Sequence, residues 1–454
     1  VWKLSRRFLL FVILCLILLV LAASLTVLYE GGFQTDSTEP ESTGILWQRG
    51  IKNFVTGLTA VDGKVYTNDI WGSISCYEAQ SGESVWNGSI GAYWGAGVAA
   101  SSTKVYGGKA PAEVGALDSA TGKFQWSAYT QFESTWRNRA PSNITVLEDR
   151  LYVTAYSFNV FNATTGQLLW EFENIPFRSD STVTDPNSLR GWPFEGNRVF
   201  AVGGVILEGW YVYKVDPNNG TILWSLPRST SVNGPPVVYH DQVIMRNSSG
   251  GETTVFSLDE DSGAILWSYD VGASVFQPTA TSTGLLLFEA SDGNVYGLHL
   301  SDGALAWKTP VDSQNITVLS DSDSPLKGLQ IQIDPQNQMA IGGFAVTTQL
   351  GAFVENGSDE YTGFLYSLDI ENGSIIWTTQ FSADGDVSNG RASFDFALTE
   401  KNIYLASSFS DFWIFSKSRG KLIESQHFDH YVSLPVVIEN RVFVIADLWL
   451  IAYE

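Results

Sequence analysis

The sequence predicts an all-β protein: a propeller of eight four-stranded blades, nine on a strict motif count, preceded by one transmembrane helix. Three observations predict it. A glycine is followed four residues later by a tryptophan seven times, at Gly82/Trp86, Gly122/Trp126, Gly166/Trp170, Gly220/Trp224, Gly263/Trp267, Gly303/Trp307 and Gly373/Trp377. Most intervals are roughly 40–45 residues, the size of a repeat carrying several short strands. An uncharged apolar run also follows the basic first seven residues, and the C-terminal segment supplies three strands of a unit without a fourth.

Taken in chain order, residues 1–7 form a basic N-terminus with Lys3, Arg6 and Arg7. Residues 8–29 carry no charge, and roughly 20 apolar residues suffice to cross a bilayer as a helix. The flanking positive charges precede the run, which predicts a cytoplasmic N-terminus and an extracytoplasmic ring, a single-pass cell-membrane protein. Ala22-Ala23-Ser24 offers an alternative as a cleavage site, and Ser5-Arg6-Arg7 as part of a twin-arginine signal. Each alternative also puts the large domain outside the cytoplasm. Residues 30–44 read as a polar stalk, and residues 45–454 as the propeller.

Each repeat has the same parts. A turn leads into a β-rich run, as in DGKVY (62–66), STKVY (102–106), EDRLY (148–152), GNRVF (196–200), HDQVI (240–244), QNQMA (336–340) and EKNIY (400–404). A further strand follows, then a hairpin whose glycine occupies a site needing positive φ, where any Cβ is strained. The tryptophan falls on the last strand, where its flat ring can pack on the neighbouring unit and bury on the order of 150–250 Å². The recurrence of Trp86, Trp126, Trp170, Trp224, Trp267, Trp307 and Trp377 at one offset assigns them a docking role between blades; a ligand does not need one residue in every blade. An eighth hairpin ends at Gly420, with Glu424 at the tryptophan offset. The C-terminal PVVIENRVFVIADLWLIAYE supplies three strands, and GILWQRG around Trp47 can supply the fourth and close the ring. There Gly44 stands three residues before the tryptophan, one short of the pattern.

Composition bounds function. The formal net charge is −22, which opposes phosphate backbones and excludes nucleic acid as a partner. The two cysteines, Cys15 and Cys76, build no disulfide framework. Asn-x-Ser/Thr triplets at Asn87, Asn143, Asn162, Asn219, Asn247, Asn315, Asn356 and Asn372 are glycosylation candidates of an exterior domain.

The segments ALDSATGKFQW (116–126), SLDEDSGAILW (257–267) and SLDIENGSIIW (367–377) resemble pyrroloquinoline-quinone (PQQ) repeats. The resemblance recurs along residues 45–454 and implies a PQQ-like β-propeller. Such families include quinone-dependent alcohol and sugar dehydrogenases and non-catalytic scaffolds similar to the bacterial outer-membrane assembly lipoprotein. The dehydrogenases use adjacent cysteines against the quinone, and this chain has none; Cys-x-x-Cys-His is absent as well. His299 occupies the Asp position of a hairpin, which gives it a turn role. His240, His427 and His430 are scattered, and the three-residue spacing of His427 and His430 points only weakly to a metal.

Binding is expected on the varied connections opposite the short hairpins. They hold Trp136, Arg137, Arg139, Arg178, Arg190 and Trp192, residue types that anchor interfaces and bind carboxylates. Asp384, Asp386 and Asn389 offer closely spaced oxygen ligands for calcium without the full EF-hand pattern. The sequence therefore predicts a membrane-anchored scaffold with protein partners, no cofactor and no catalytic residue. Alternatives are a PQQ- or metal-dependent oxidoreductase acting on alcohols or sugars, with PQQ and Ca, and a carbohydrate-binding or cell-surface structural component. Oligomeric state is not written in the chain.

Overall fold

The computed structural model describes residues 44–454 apart from 92–94, 111, 131–140, 142, 155–157, 173–181, 184–199, 203–204, 209–210, 217, 228–230, 233–235, 250–251, 312–326, 348–358, 386–393, 408–410, 429–431, 434 and 439. Among these residues every regular element is a strand. The apolar run 8–29 and the stalk up to residue 43 lie outside them, and no described helix is long and apolar enough to cross a membrane.

The first blade shows how sequence becomes sheet. Val55–Val61, Lys64–Asp69, Ser73–Glu78 and Ser84–Ser89 pair in that order, all antiparallel. The first hairpin turns through Asp62 and Gly63 at φ 49° and 71°, the double positive φ of a turn that matches strand twist. The last hairpin turns through Gly82 at φ 67°, and a bulge between Cys76 and Tyr77 follows on the paired strand. Both faces of the sheet are covered by neighbouring blades, so the second strand, KVYTND, is almost wholly buried.

The described residues contain nine such sheets. Blades one to eight span 55–89, 95–129, 143–172, 182–227, 231–270, 279–310, 327–385 and 394–427. In the ninth, Ile45–Gly50 pairs with Trp449–Tyr453 beside Arg441–Ala446 and Val436–Ile438. Blades four and five each have a fifth strand. In blade four a strand at Phe200–Val202 starts at the last residue of GNRVF, and a separate strand, Val205–Glu208, lies between it and Tyr211–Val215, which uses the longer interval between Trp170 and Trp224.

First strands of successive blades lie side by side. Val55–Val61 touches both Val436–Ile438 and Gly95–Ala100, and the same relation links blades two to four and five to nine. Blades four and five meet where Trp224 reaches Gly263. The described sheets thus form a closed propeller. The expected count of eight is corrected to nine, the strict motif count: the sheet closed by Ile45–Gly50 is additional to the eight that carry a glycine hairpin. The core is correspondingly distributed, with a cluster between each pair of blades, such as Leu285, Leu287, Trp307, Ile331, Ala340 and Leu368.

Candidate functional site on the long-connection face

The strand order gives the ring two unlike ends. Glycine hairpins and first turns occupy one end, and the longer connections leave from the other.

At the hairpin end the seams are built from one contact used eight times. Trp86 lies on Gly122, Trp126 on Gly166, Trp170 on Gly220, Trp224 on Gly263, Trp267 on Gly303, Trp307 on Gly373 and Trp377 on Gly420. Trp47 lies on Gly82. Each tryptophan therefore meets the glycine of the next blade, not the one four residues before it. A Cβ at Gly303 would sit 2.6 Å from Cε3 of Trp267, closer than carbon atoms approach. The same indoles donate Nε1–H to the carbonyl three residues before that glycine: Trp86 to Ser119 at 2.9 Å, Trp224 to Glu260 at 2.8 Å, Trp267 to Leu300 at 2.9 Å, Trp307 to Ile370 at 3.1 Å and Trp377 to Lys417 at 3.0 Å. In one seam the carbonyl of Ala163 instead accepts Tyr106 Oη–H at 3.1 Å, and Trp126 Nε1 is left without a partner among the described residues.

At the other end the second strands finish in polar residues that tie neighbouring blades. Asn68 donates to Gly97 O at 2.8 Å, and Arg246 to Val275 O at 2.7 Å. Asp69 accepts from Asn53 at 2.7 Å and from the backbone of Trp71 and Ser73. Lys109 pairs with Glu113 at 3.1 Å. Burial pushes the Asp292 carboxyl up, but bonds from Tyr296, Lys308 and Asn294 outweigh it and hold it below the usual range. His427 Nδ1 meets Asp411 Oδ1 at 2.7 Å, with the ring largely exposed and the carboxylate buried. Phe54, Trp71, Leu448 and Trp449 are exposed near the closing blade at this end.

The most unusual group here is Glu289, wholly buried at the end of Leu285–Glu289. Its Oε1 accepts Tyr366 Oη–H at 2.5 Å and Gly343 N–H at 2.9 Å, both from the next blade, while Oε2 has no partner among the described residues. Burial pushes its pKa well above the usual glutamate value, and the two donors oppose this only in part. Tyr366 is raised too, by burial and then by the adjacent carboxyl. Gly342 leaves the space they need: a Cβ there would lie 2.3 Å from Tyr366 Oη. Sequence reasoning missed this cluster. Its one trace is an acid closing the apolar run LLLFE.

Of the residues expected to bind, Trp136, Arg137, Arg139, Arg178, Arg190 and Trp192 lie outside the described residues. So do Asp386, Asn389, His430, Asn315 and Asn356. Asp384 falls in Ile375–Gly385, paired with Glu360. Asn87, Asn143 and Asn247 lie in strands, Asn162 ends one, and Asn219 and Asn372 sit in hairpins. His240 occupies a turn at φ 52° and His299 a hairpin.

A ring of four-stranded blades docked by tryptophan on glycine defines a β-propeller of PQQ-like repeats. The chain belongs to the PQQ-repeat family whose profile is described as outer membrane protein assembly factor BamB: that profile matches residues 71–188 and 159–327, more than half of the chain. A curated relative, quinohemoprotein alcohol dehydrogenase ADH IIB of Pseudomonas putida, is 26% identical over 201 residues, covering 38% of this chain and 28% of its own length. The chain thus spans under a third of that relative. Among solved structures, BamB from Moraxella catarrhalis aligns with 90% of this chain and 99% of its own at 13% identity and a TM-score of 0.49. The quinohemoprotein alcohol dehydrogenase of Comamonas testosteroni aligns with 90% and 73% at 14% identity and a TM-score of 0.47.

Two of these relatives are quinohemoproteins. Among the described residues no three His, Cys, Asp or Glu side chains converge as a metal would require. Cys76 is buried among Tyr66, Ile74, Ile90, Val105 and Leu117, and burial raises its pKa to about 11, the opposite of a reactive thiol. Neither a metal-binding group nor a reactive thiol is found among the described residues.

Proposed function

We propose that this chain is a membrane-anchored, extracytoplasmic scaffold that holds protein partners on its long-connection face. The observation that carries the reading is the contrast between the two ends. One end is fixed by eight repeats of a single tryptophan–glycine contact, while the connections at the other vary in length and composition. Rigid rings with varied loops present surfaces suited to partners. The family description, an assembly factor of outer-membrane proteins, supports the same role. Trp136, Arg137, Arg139, Arg178, Arg190 and Trp192 in these connections supply aromatic and guanidinium anchors. The apolar run 8–29 supplies the anchor, and its preceding charges set the orientation.

The test is affinity capture of the full chain from detergent-solubilised membranes, with the wild type beside a Trp136→Ala/Arg137→Ala/Arg139→Ala variant. The reading expects a stoichiometric partner retained by the wild type and lost by the variant. Saturable binding of PQQ with Ca²⁺, together with dye-linked oxidation of alcohols or sugars, would overturn it. That outcome would favour the second reading, a quinone-dependent oxidoreductase, which rests on the 26% identity to the Pseudomonas putida enzyme.

A further inference from the structure

N-glycosylation uses the two polar atoms of an asparagine side chain differently. The sugar is attached at Nδ2, while Oδ1 stays available as an acceptor. The fold sorts the Asn-x-Ser/Thr triplets by which atom is already engaged.

At Asn372, exposed in the last hairpin of blade seven, Oδ1 accepts Ser374 N–H at 2.8 Å. At Asn162, in the corresponding turn of blade three, Oδ1 accepts the backbone N–H groups of Thr164 at 3.0 Å and Thr165 at 2.8 Å, and the Thr165 hydroxyl at 3.0 Å. At both positions Nδ2 makes no hydrogen bond to a described residue. Asn87 is the reverse case. Its Nδ2 donates to Ser75 Oγ at 2.7 Å, and the hydroxyl of its triplet, on Ser89, donates to Gly72 O at 3.3 Å and accepts Gly91 N–H at 3.0 Å. Asn219 is intermediate, with Nδ2 held by Asp216 at 3.1 Å.

We propose that Asn162 and Asn372 carry N-linked glycans on the hairpin end of the ring and that Asn87 does not. The donor is a polyprenyl-phosphate-activated sugar. Its anomeric carbon–oxygen bond to phosphate breaks, the anomeric carbon bonds to Nδ2, and the proton lost from Nδ2 neutralises the leaving phosphate. In the folded ring the sugar extends from a turn whose own hydrogen bonds remain intact. At Asn87 it would compete with an existing cross-strand bond. The inference rests on the extracytoplasmic placement proposed above.

The test is intact-glycopeptide mass spectrometry on the full chain isolated from its own membranes, beside protease accessibility of the ring in intact cells. Sugar-bearing peptides are expected at Asn162 and Asn372 and none at Asn87. Thr164→Ala and Ser374→Ala should each remove one glycan, because they abolish the triplet and keep every Oδ1 bond to the backbone. A ring accessible from outside with Asn162 or Asn372 bare, or with Asn87 modified, overturns this inference alone. A ring reached only after lysis overturns the placement and this inference together.

Discussion

Each docking indole combines a stacking contact with one hydrogen bond, and the two can be separated at a single seam. Trp267 loses an Nε1–H bond to Leu300 O when replaced by Phe, at a cost of about 1 kcal/mol beyond the change in ring size. Trp126 has no such bond among the described residues, because Tyr106 has taken the Ala163 carbonyl. Denaturant melts should therefore find Trp267→Phe more destabilising than Trp126→Phe by about that amount. Glu289 gives the second residue-level prediction. Its folded pKa lies well above that of the unfolded chain, so folding holds a proton. Its contribution is fully present below about pH 4.3, the ordinary glutamate value, and is lost as pH rises toward the folded pKa. Glu289→Gln should flatten the fall in melting temperature as pH rises above about 4.3. A parallel fall in the variant would remove Glu289 as its source. The glycine–tryptophan offset was visible in the sequence because both residues belong to one hairpin. The Glu289 cluster was not, because Gly343 and Tyr366 come from another blade and nothing local pairs them with an acid.

Among the elements, the hairpins read most clearly from sequence because turn chemistry is local: Asp118 and Asp259 accept the hydroxyls of Thr121 and Ser262 and then the backbone N–H groups of the same residues, and those bonds hold both carboxyls below the usual range. Blade four was harder to read, since its strands near Phe200–Val202 and Val205–Glu208 depend on pairing with Tyr211–Val215 more than on any turn signal. At the seam with the closing blade, whose last two strands are not joined by a hairpin, Glu424 stands at the tryptophan offset. Glu424 accepts Gln426 Nε2–H at 2.7 Å, and Gln426 accepts Tyr453 Oη–H at 3.1 Å. Between blades seven and eight a buried pair joins the elements: Lys417 Nζ lies 2.7 Å from Asp334 Oδ2. Burial pushes Asp334 up, but Asn337 and Lys417 outweigh it and hold the carboxyl below its usual value. That stability is present above about pH 3.9, the ordinary aspartate value, and is lost as pH falls through the lower folded pKa. Lys417→Met leaves the carboxylate buried and should cost about 3–5 kcal/mol at neutral pH, shrinking in acid as Asp334 protonates. A loss that is constant from pH 7 to pH 3 would contradict the pairing.

At the scale of the whole molecule, closure depends on one strand from the far end of the chain. Ile45–Gly50 pairs with Trp449–Tyr453 and brings Trp47 onto Gly82, with its Nε1–H donated to Ala79 O at 3.0 Å. Deleting residues 45–50 exposes the edge of Trp449–Tyr453 and uncovers Gly82, so light scattering should find self-association that the intact ring does not have. A monomeric deletion variant of unchanged stability would show that closure lies elsewhere. The all-β repeat and the closing strand were both legible, since they follow from periodicity and from an incomplete last unit. The candidate binding surface was legible only as composition, because connections of unequal length carry no period from which a geometry follows. The tryptophan of one blade seats on the glycine of the next, and a double-mutant cycle at Trp267 and Gly303 measures that contact. Gly303→Ala should be strongly destabilising in the wild type, and Trp267→Ala should relieve the clash and leave only the backbone strain at φ 71°. The expected coupling is about 1–3 kcal/mol. Additivity within about 0.5 kcal/mol would mean that the two residues do not touch and that the ring is held in some other way.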